Sequence, residues 1–533
     1  MGGLMRRIGW LCAVLLLATA GTPACADQAA DIKQSLETTL NDWADNGQFL
    51  THGAIDVAAD GTAYVVSIPD VHLFPDEQGY LDVGMVGFRL TPDGDDLYKV
   101  DKVKLAAEIP HKLAAGGNDG SISLPSQQFA GVWSKSLKNF VQADVALHDV
   151  KLTASSQPPM NLSIGEVALK LDGTDKGQGH WDEVETYRLA NLSVAGPDGS
   201  FVLGLLDGKT TITNYNAKAM ADFRDQMEAM AAKAEAGAGT AATGTGDTGT
   251  PPAAPDPQFV ESLRSLGSLF ANLAANVQVT GISYKDPTGQ EMFALPEGSL
   301  SFGADGFDQP VGKLALSITH KGLVVGDIDP ALKDVVPQEL AINVSLENLP
   351  VQELWKGAVD SYVSSGMSTD QGASMAFAMF PALLQQSLVT GKAKLNLTDW
   401  RIVTALAQAQ LAGSIEGSPD AMMGAVGKLK LDIIGLDKLI ETIKTQSGPD
   451  APELAQLDVL RGFSNRQTGS DGSVVDHYDI DLTQQGQVMV NGKEFPLFGG
   501  GAGEMPPAEG ATPPAGDGTS PDTGTSGDNS SGN

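Results

Sequence analysis

Apolar positions along this chain follow two rhythms, one of period 3.6 and one of period 2, and the changes between them mark its elements. Over residues 27–44, Ile32, Leu36, Leu40 and Trp43 recur at helical spacing and form one apolar stripe. From about residue 50 to 215 the rhythm becomes alternation, as in Val86, Phe88 and Leu90. Val145 and Leu147 continue as Val150 and Leu152, and Leu162 and Ile164 as Val167, Leu169 and Leu171. Each of those runs slips phase once, as a β-bulge requires. Asp-Gly pairs at 60–61, 93–94, 119–120, 172–173, 198–199 and 207–208 lie in or beside the runs. Asp-Gly supplies the positive φ angles of tight turns, so the pattern predicts an antiparallel meander.

A second helical stripe carries Met220, Phe223, Met227 and Met230 and runs into the Gly/Ala/Thr/Pro-rich segment 236–258, which reads as a linker. Another helix is expected over 259–276, with Leu263, Leu266, Phe270 and Leu273. Strands resume at Leu314–Ile318, Leu340–Leu346, Ala393–Leu397 and Leu429–Ile433, interrupted by helices near 351–365 and 372–388. Helices over 436–446 and 451–464 precede a closing hairpin that pairs Tyr478, Ile480 and Leu482 with Val488 and Val490, and Asn491-Gly492 turns the chain again. Residues 499–533 are rich in Gly, Pro, Ser and Thr, with five acids and no Lys or Arg, the composition of a disordered tail.

The predicted class is α+β: antiparallel, twisted or curved sheets with helices on one face, in two similar-sized lobes. The expected divisions are a leader at 1–26, a β-rich lobe at 27–235, the linker at 236–258, an α+β lobe at 259–498 and the tail. Val194–Ile212 and Ile282–Phe302 are both strand–turn–strand, a likeness no stronger than alternation alone produces.

The leader changes the picture most. Arg6 and Arg7 precede the apolar run Ile8–Ala20, and the segment ends in Ala24-Cys25-Ala26. That order is a secretory signal, with cleavage after Ala26 and a mature start at Asp27. The expected address is a bacterial periplasm. Twin-arginine export is disfavoured because Gly9 stands where that signal wants a bulky apolar residue. Lipidation at Cys25 is the lesser alternative, since Thr22-Pro23-Ala24 is a poor lead-in.

Both cysteines, Cys12 and Cys25, fall in the leader, so the exported product has no disulfide, thiolate metal site or Cys nucleophile. The 66 acidic and 34 basic residues give a net charge of −32, which becomes −34 once Arg6 and Arg7 leave with the leader. Such a field repels nucleic acid and anionic membrane surfaces. Later segments lack the roughly 18 apolar residues in a row that a membrane span needs.

Candidate chemistry is sparse. Gly204–Thr210 resembles a phosphate-binding loop but has three residues between its glycines instead of four, and reads as a hairpin around Asp207-Gly208. Gly244-Thr-Gly-Asp-Thr-Gly249 matches the dinucleotide fingerprint by letter, yet Pro251-Pro252 follow it where a helix should run. The seven histidines (His52, His72, His111, His148, His180, His320, His477) include no pair at zinc-ligand spacing. Asp93-Gly94-Asp95-Asp96 starts like a calcium loop, but Lys104 occupies the twelfth position. On a strand, His477, Asp479 and Asp481 share one face, which is read as a solvated face in preference to a cation site. No nucleophile elbow occurs, and no cofactor or catalytic residue is assigned.

Two phrases carry a family resemblance: Asp479-Ile-Asp-Leu-Thr-Gln-Gln-Gly-Gln-Val-Met-Val-Asn-Gly-Lys-Glu-Phe-Pro-Leu497, and Leu346-Glu-Asn-Leu-Pro-Val-Gln-Glu-Leu-Trp355. They resemble the periplasmic domain-of-unknown-function family numbered 2125 and, second, the family numbered 945. The chain also resembles AsmA-like envelope proteins, whose curved sheets are thought to carry lipid, although it lacks their membrane anchor. The resemblance implies a periplasmic, β-rich protein and supplies no site residues.

The leading functional expectation is non-enzymatic binding of a lipid or other apolar ligand in the cell envelope. Its candidate ligand-facing residues are Met220, Phe223, Met227 and Met230 with Met375, Met379 and Phe380, because Met-rich faces adapt to varied apolar shapes. The alternative is a scaffold or assembly factor contacting other envelope proteins, and a hydrolase comes third.

Overall fold

The computed structural model describes residues 27–44, 50–75, 79–114, 116–137, 139–154, 160–238, 256–328, 333–365, 388–390, 392–449, 451–469 and 472–495. The leader with Ala24 and Ala26, most of the predicted linker, and the tail lie outside them, as do Met375, Met379 and Phe380. Asp27 is the first residue of helix α1 (Asp27–Ala44). Twelve strands follow: β1 (Leu50–Thr51), β2 (Asp56–Asp60), β3 (Ala63–Leu73), β4 (Gly79–Asp93), β5 (Leu97–Lys104), β6 (Glu108–Leu113), β7 (Asn118–Ser123), β8 (Ser126–Ser134), β9 (Asn139–Ala154), β10 (Met160–Gly177), β11 (His180–Gly196) and β12 (Gly199–Asn216). Strand β3 pairs with β4, whose two halves pair with β5 and β6; these pair with β8 and β7, and both rejoin at β9.

This region has a closed core. Ile32 and Leu36 of α1 are fully buried, against a cluster that includes Val66, Leu90, Ile109 and Leu124. Gln28 ties the helix down, since its Nε2 donates to Tyr98 Oη (3.0 Å) and its Oε1 accepts from Tyr64 Oη (2.9 Å). Both tyrosines are buried, and these bonds satisfy polar groups that would otherwise destabilise the core.

From β9 to β15 (Gly312–Lys321) consecutive strands pair antiparallel, and β12 and β13 (Asn272–Lys285) are neighbours although the predicted linker lies between them in sequence. Strand β12 pairs with β13 from Ser200↔Lys285 to Thr213↔Asn272. The helices α2 (Ala217–Ala238) and α3 (Pro257–Ser265) bring the chain back to the neighbouring strand, with Phe223 stacked on Phe259 at 5.9 Å. The sheet continues through β14 (Glu291–Asp305), β15 (Gly312–Lys321), β16 (Val324–Val325), β17 (Glu339–Leu349), β18 (Lys394–Val403), β19 (Gln408–Gly417), β20 (Ala425–Ile434), β21 (Asn465–Thr468), β22 (Val474–Leu482), β23 (Val488–Val490) and β24 (Lys493–Phe495). Helix α4 (Val351–Ser365) lies between β17 and β18, and α5 (Leu436–Ser447) with α6 (Pro452–Phe463) between β20 and β21. The molecule is strand-rich, one large antiparallel sheet with few helices.

The phase slips predicted in β9 and β10 are present, but without the expected β-bulge: both strands skip one residue at the same level, so their register is unchanged. Register passes from Ile164↔Val150 to Glu166↔His148, leaving Gly165 and Asp149 between. The same slip recurs at Asn191 and Gly204, at Gly204 and Gly281, and at Gly281 and Pro296. Asp149 (φ 54°), Asn191 (φ 55°) and Gly281 (φ 66°) adopt the left-handed backbone that Asp, Asn and Gly tolerate best. Because neighbouring strands slip together, each apolar set stays on one face of the sheet.

Three Asp-Gly pairs are turns or border them, at 60–61, 93–94 and 198–199. Those at 119–120, 172–173 and 207–208 instead sit inside β7, β10 and β12. There glycine is needed for space: a Cβ on Gly208 would stand 2.0 Å from Tyr187 Cζ, and one on Gly120 would stand 2.1 Å from the Thr153 carbonyl oxygen. The helix expected over 259–276 is also shorter. After Ser265 the chain makes a 3₁₀ turn, Leu266–Ser268, where Gly267 admits the Trp355 ring, and Leu273 belongs to β13. The closing hairpin is as expected, with Ile480↔Val490 and Leu482↔Val488, and Asn491-Gly492 in a left-handed turn.

Candidate apolar face

The registers from β13 to β22 stack apolar side chains into rows that cross the strands. One row runs Val277–Leu300–Ile318–Ile342–Trp400–Leu411–Leu431–Tyr478. Beside it runs Ala275–Phe302–Leu316–Val344–Leu397–Gly413–Leu429–Ile480, and beyond that Leu273–Ala304–Leu314–Leu346–Leu395–Ile415–Gly427–Leu482. A fourth, Val279–Gly298–His320–Leu340–Ile402–Ala409–Ile433–Asp476, carries the only ionisable side chains of the four, apart from the Tyr478 phenol. At about 4.8 Å between strands, an eight-strand row is roughly 34 Å long.

These rows are incompletely covered. Between β13 and β20 their one buried member is Ala304, while Leu300 is 46% exposed and Phe302 and Leu316 39% each. Among the described residues, helices cover only the ends. The first turn of α4, with Val351 and Leu354, packs on Leu314 and Leu346. Leu436 and Ile440 of α5, with Ala451 and Leu454 at α6, pack on Ile433. His320 Nδ1 has no hydrogen-bond partner, and burial holds this imidazole below its ordinary pKa, favouring the neutral ring on an apolar face.

The opposite face of the same strands is polar. The row Asn276–Ser301–Ser317–Asn343–Asp399 is bonded sideways, Asn276 Nδ2 donating to Ser301 Oγ at 2.6 Å. Here a shallow trough of ≈ 650 Å³ is lined by Ala274, Asn276, Ser301, Gly303, Ala315 and Ser317 among others. Further along, His477 Nδ1 lies 2.5 Å from Asp432 Oδ1, Asp479 stands opposite Lys430, and Lys428 Nζ is 3.5 Å from Asp481 Oδ1. The His477, Asp479 and Asp481 face is thus a cross-strand ladder of polar pairs, two of them lysine–aspartate.

On β11, Glu183 and Glu185 share the apolar side of the sheet, Glu185 between Leu171 and Thr210 and Glu183 between Gly173 and Ile212. Burial, then the neighbouring Glu185 charge, pushes the Glu183 carboxyl above its usual range. Burial, then Glu183, does the same to the Tyr215 phenol.

Of the ligand-facing residues singled out from sequence, Met220, Phe223 and Met227 lie on α2, away from the open rows of β13 to β20. Phe223 belongs to a helical cluster with Phe259, Val260, Val359 and Tyr362, so its ring packs on helices. Met220 is half-buried and Met227 is 41% exposed. Met230 lies on α2, but its side chain is outside the described residues. The Gly204–Thr210 segment is the interior of β12, neither a hairpin nor a loop before a helix. Asp96 of the calcium-like segment is occupied by the next turn, accepting from Ser134 Oγ (2.5 Å) and the Ser136 amide (2.8 Å). Among the described residues no three His, Cys, Asp or Glu side chains gather as metal ligands, and no helix is long and apolar enough to cross a membrane. The rows themselves were legible only as separate alternating runs, because pairing them requires the register. The chain matches no protein-family profile, curated protein or solved structure.

Proposed function

We propose that this protein is an exported, non-enzymatic carrier that holds a lipid or similar apolar chain along the uncovered rows of its sheet, in the periplasm. The carrying observation is an apolar face of about 34 Å whose middle rows no helix covers among the described residues. A bilayer's two-leaflet hydrocarbon core is about 30 Å thick, so the face accommodates acyl chains at full extension. The middle rows carry no charge with which a protein partner would set register, and a net charge of −34 on the exported chain opposes pairing with a second copy. The finer architecture, a curved sheet enclosing its ligand beneath helices in two lobes, is part of this proposal. So is membership of the families named above.

The test is native mass spectrometry, with lipid extraction, of protein purified from periplasm without detergent. An adduct of lipid mass is expected, together with a rise in melting temperature when lipid is added to stripped protein. A clean apo mass with no stabilisation by lipid overturns the carrier reading and favours an envelope scaffold.

A further inference from the structure

Where α6 hands the chain to β21, a group of polar atoms is sealed off from solvent. Asp476 and Tyr478 of β22 point to the apolar side of the sheet and are each 1% exposed. The register Arg466↔Asp476, Asn465↔His477 sets Ser464 opposite Tyr478. Both carboxylate oxygens of Asp476 are buried without a hydrogen-bond partner in the protein, and the buried Tyr478 and Ser464 hydroxyls lie beside each other without a well-formed bond. Arg466 Nε stands 3.1 Å from Asp476 Oδ1, off hydrogen-bonding geometry, while the outer nitrogen of the same guanidinium pairs with Asp437. On their other side, Asp476 and Tyr478 face Ile433 and Leu431, which offer no donor.

Leaving these groups unpaired would cost about 1–3 kcal/mol each, more for the carboxylate. Buried sites of this kind are filled by water, which typically makes about three hydrogen bonds. We infer that one ordered water is bound among Asp476, Tyr478 and Ser464, donating to the carboxylate and linking it to the two hydroxyls. Charge selects water over a cation. Asp476 and Asp437 are already balanced by Arg466 and by Arg461, whose guanidinium is 3.2 Å from Asp437. The bridge closes the polar end of the rows and fastens β21 to β22 beneath α6. It is independent of what the open face carries.

A crystal structure of the mature chain at a resolution that shows ordered water tests this directly. One peak within hydrogen-bonding distance of the Asp476 carboxylate and Tyr478 Oη is expected. Direct side-chain bonding with no peak overturns the inference, as does a melting temperature that changes when sodium replaces potassium at constant ionic strength. In solution, Tyr478→Phe and Ser464→Ala should each lower the melting temperature by about 2 °C. Because they share one water, the double variant should lose clearly less than the two together; strictly additive losses, or none, count against it.

Discussion

Strands β3 to β9 and strands β13 to β20 are written in the same alternating code, yet one set encloses its apolar side and the other leaves it open. In the first, Val66 and Leu90 are 0% exposed beneath α1; in the second, Leu300 and Phe302 remain 46% and 39% exposed. The two regions do not differ in strand pattern. Among the described residues they differ in what covers it: an amphipathic helix laid across the first, and helices confined to the strand ends in the second. Alternation therefore states that a face is apolar without stating that it is core, and the open region is where function is sought.

The comparison breaks most visibly at Leu90. Leu90→Ala should lose about 2–5 kcal/mol in urea unfolding, since it empties a packed site. A loss of only a few tenths would show that the N-terminal region is not the closed core described. Gly208→Val, at the boundary between the regions, should lose about 1–3 kcal/mol by driving a side chain into the Tyr187 ring, and Tyr187→Ala in the same background should recover part of it. Circular-dichroism melts of the single and double variants decide this.

Leu316→Ala sharpens the contrast. On an open face it should lose less than about 1 kcal/mol of stability, because only part of its surface is removed from water. It should weaken binding of a fluorescent fatty acid by about threefold to tenfold, as loss of up to about 1.4 kcal/mol of contact implies. Equal effects at Leu316 and Leu90 would mean that the second face is also core. Glu183→Gln should have the smallest effect. A carboxyl raised by burial is best tolerated protonated, so the wild type gains stability below the ordinary Glu range and loses it as pH rises through the elevated value. The variant should lack that pH-dependent step and be slightly more stable at neutral pH, as melts between pH 4 and 8 would show.

Much of the local structure was legible. The helices over 27–44, 351–365 and 436–447 and the closing hairpin at Asn491-Gly492 follow from apolar spacing and turn chemistry. The misreadings share a cause. Gly120, Gly173 and Gly208 looked like turn residues and are strand residues, because the need for glycine came from a carbonyl or a ring on another strand. Phe223 looked free to face a ligand, and Phe259, thirty-six positions on, takes its ring. The candidate site was the least visible part, since Leu300, Ile318, Ile342 and Trp400 become one row only through pairing.

The sequence by itself determined which side chains lie on one side of each strand, where helices form, and that both cysteines fall within the first 26 residues, because periodicity and composition are local. Tertiary structure decided that β12 and β13 pair although residues 236–258 separate them, that the phase slips line up on neighbouring strands, and that the second apolar face stays open among the described residues. Those outcomes depend on register and on where helices come to rest, and both are set by contacts between residues far apart in the chain.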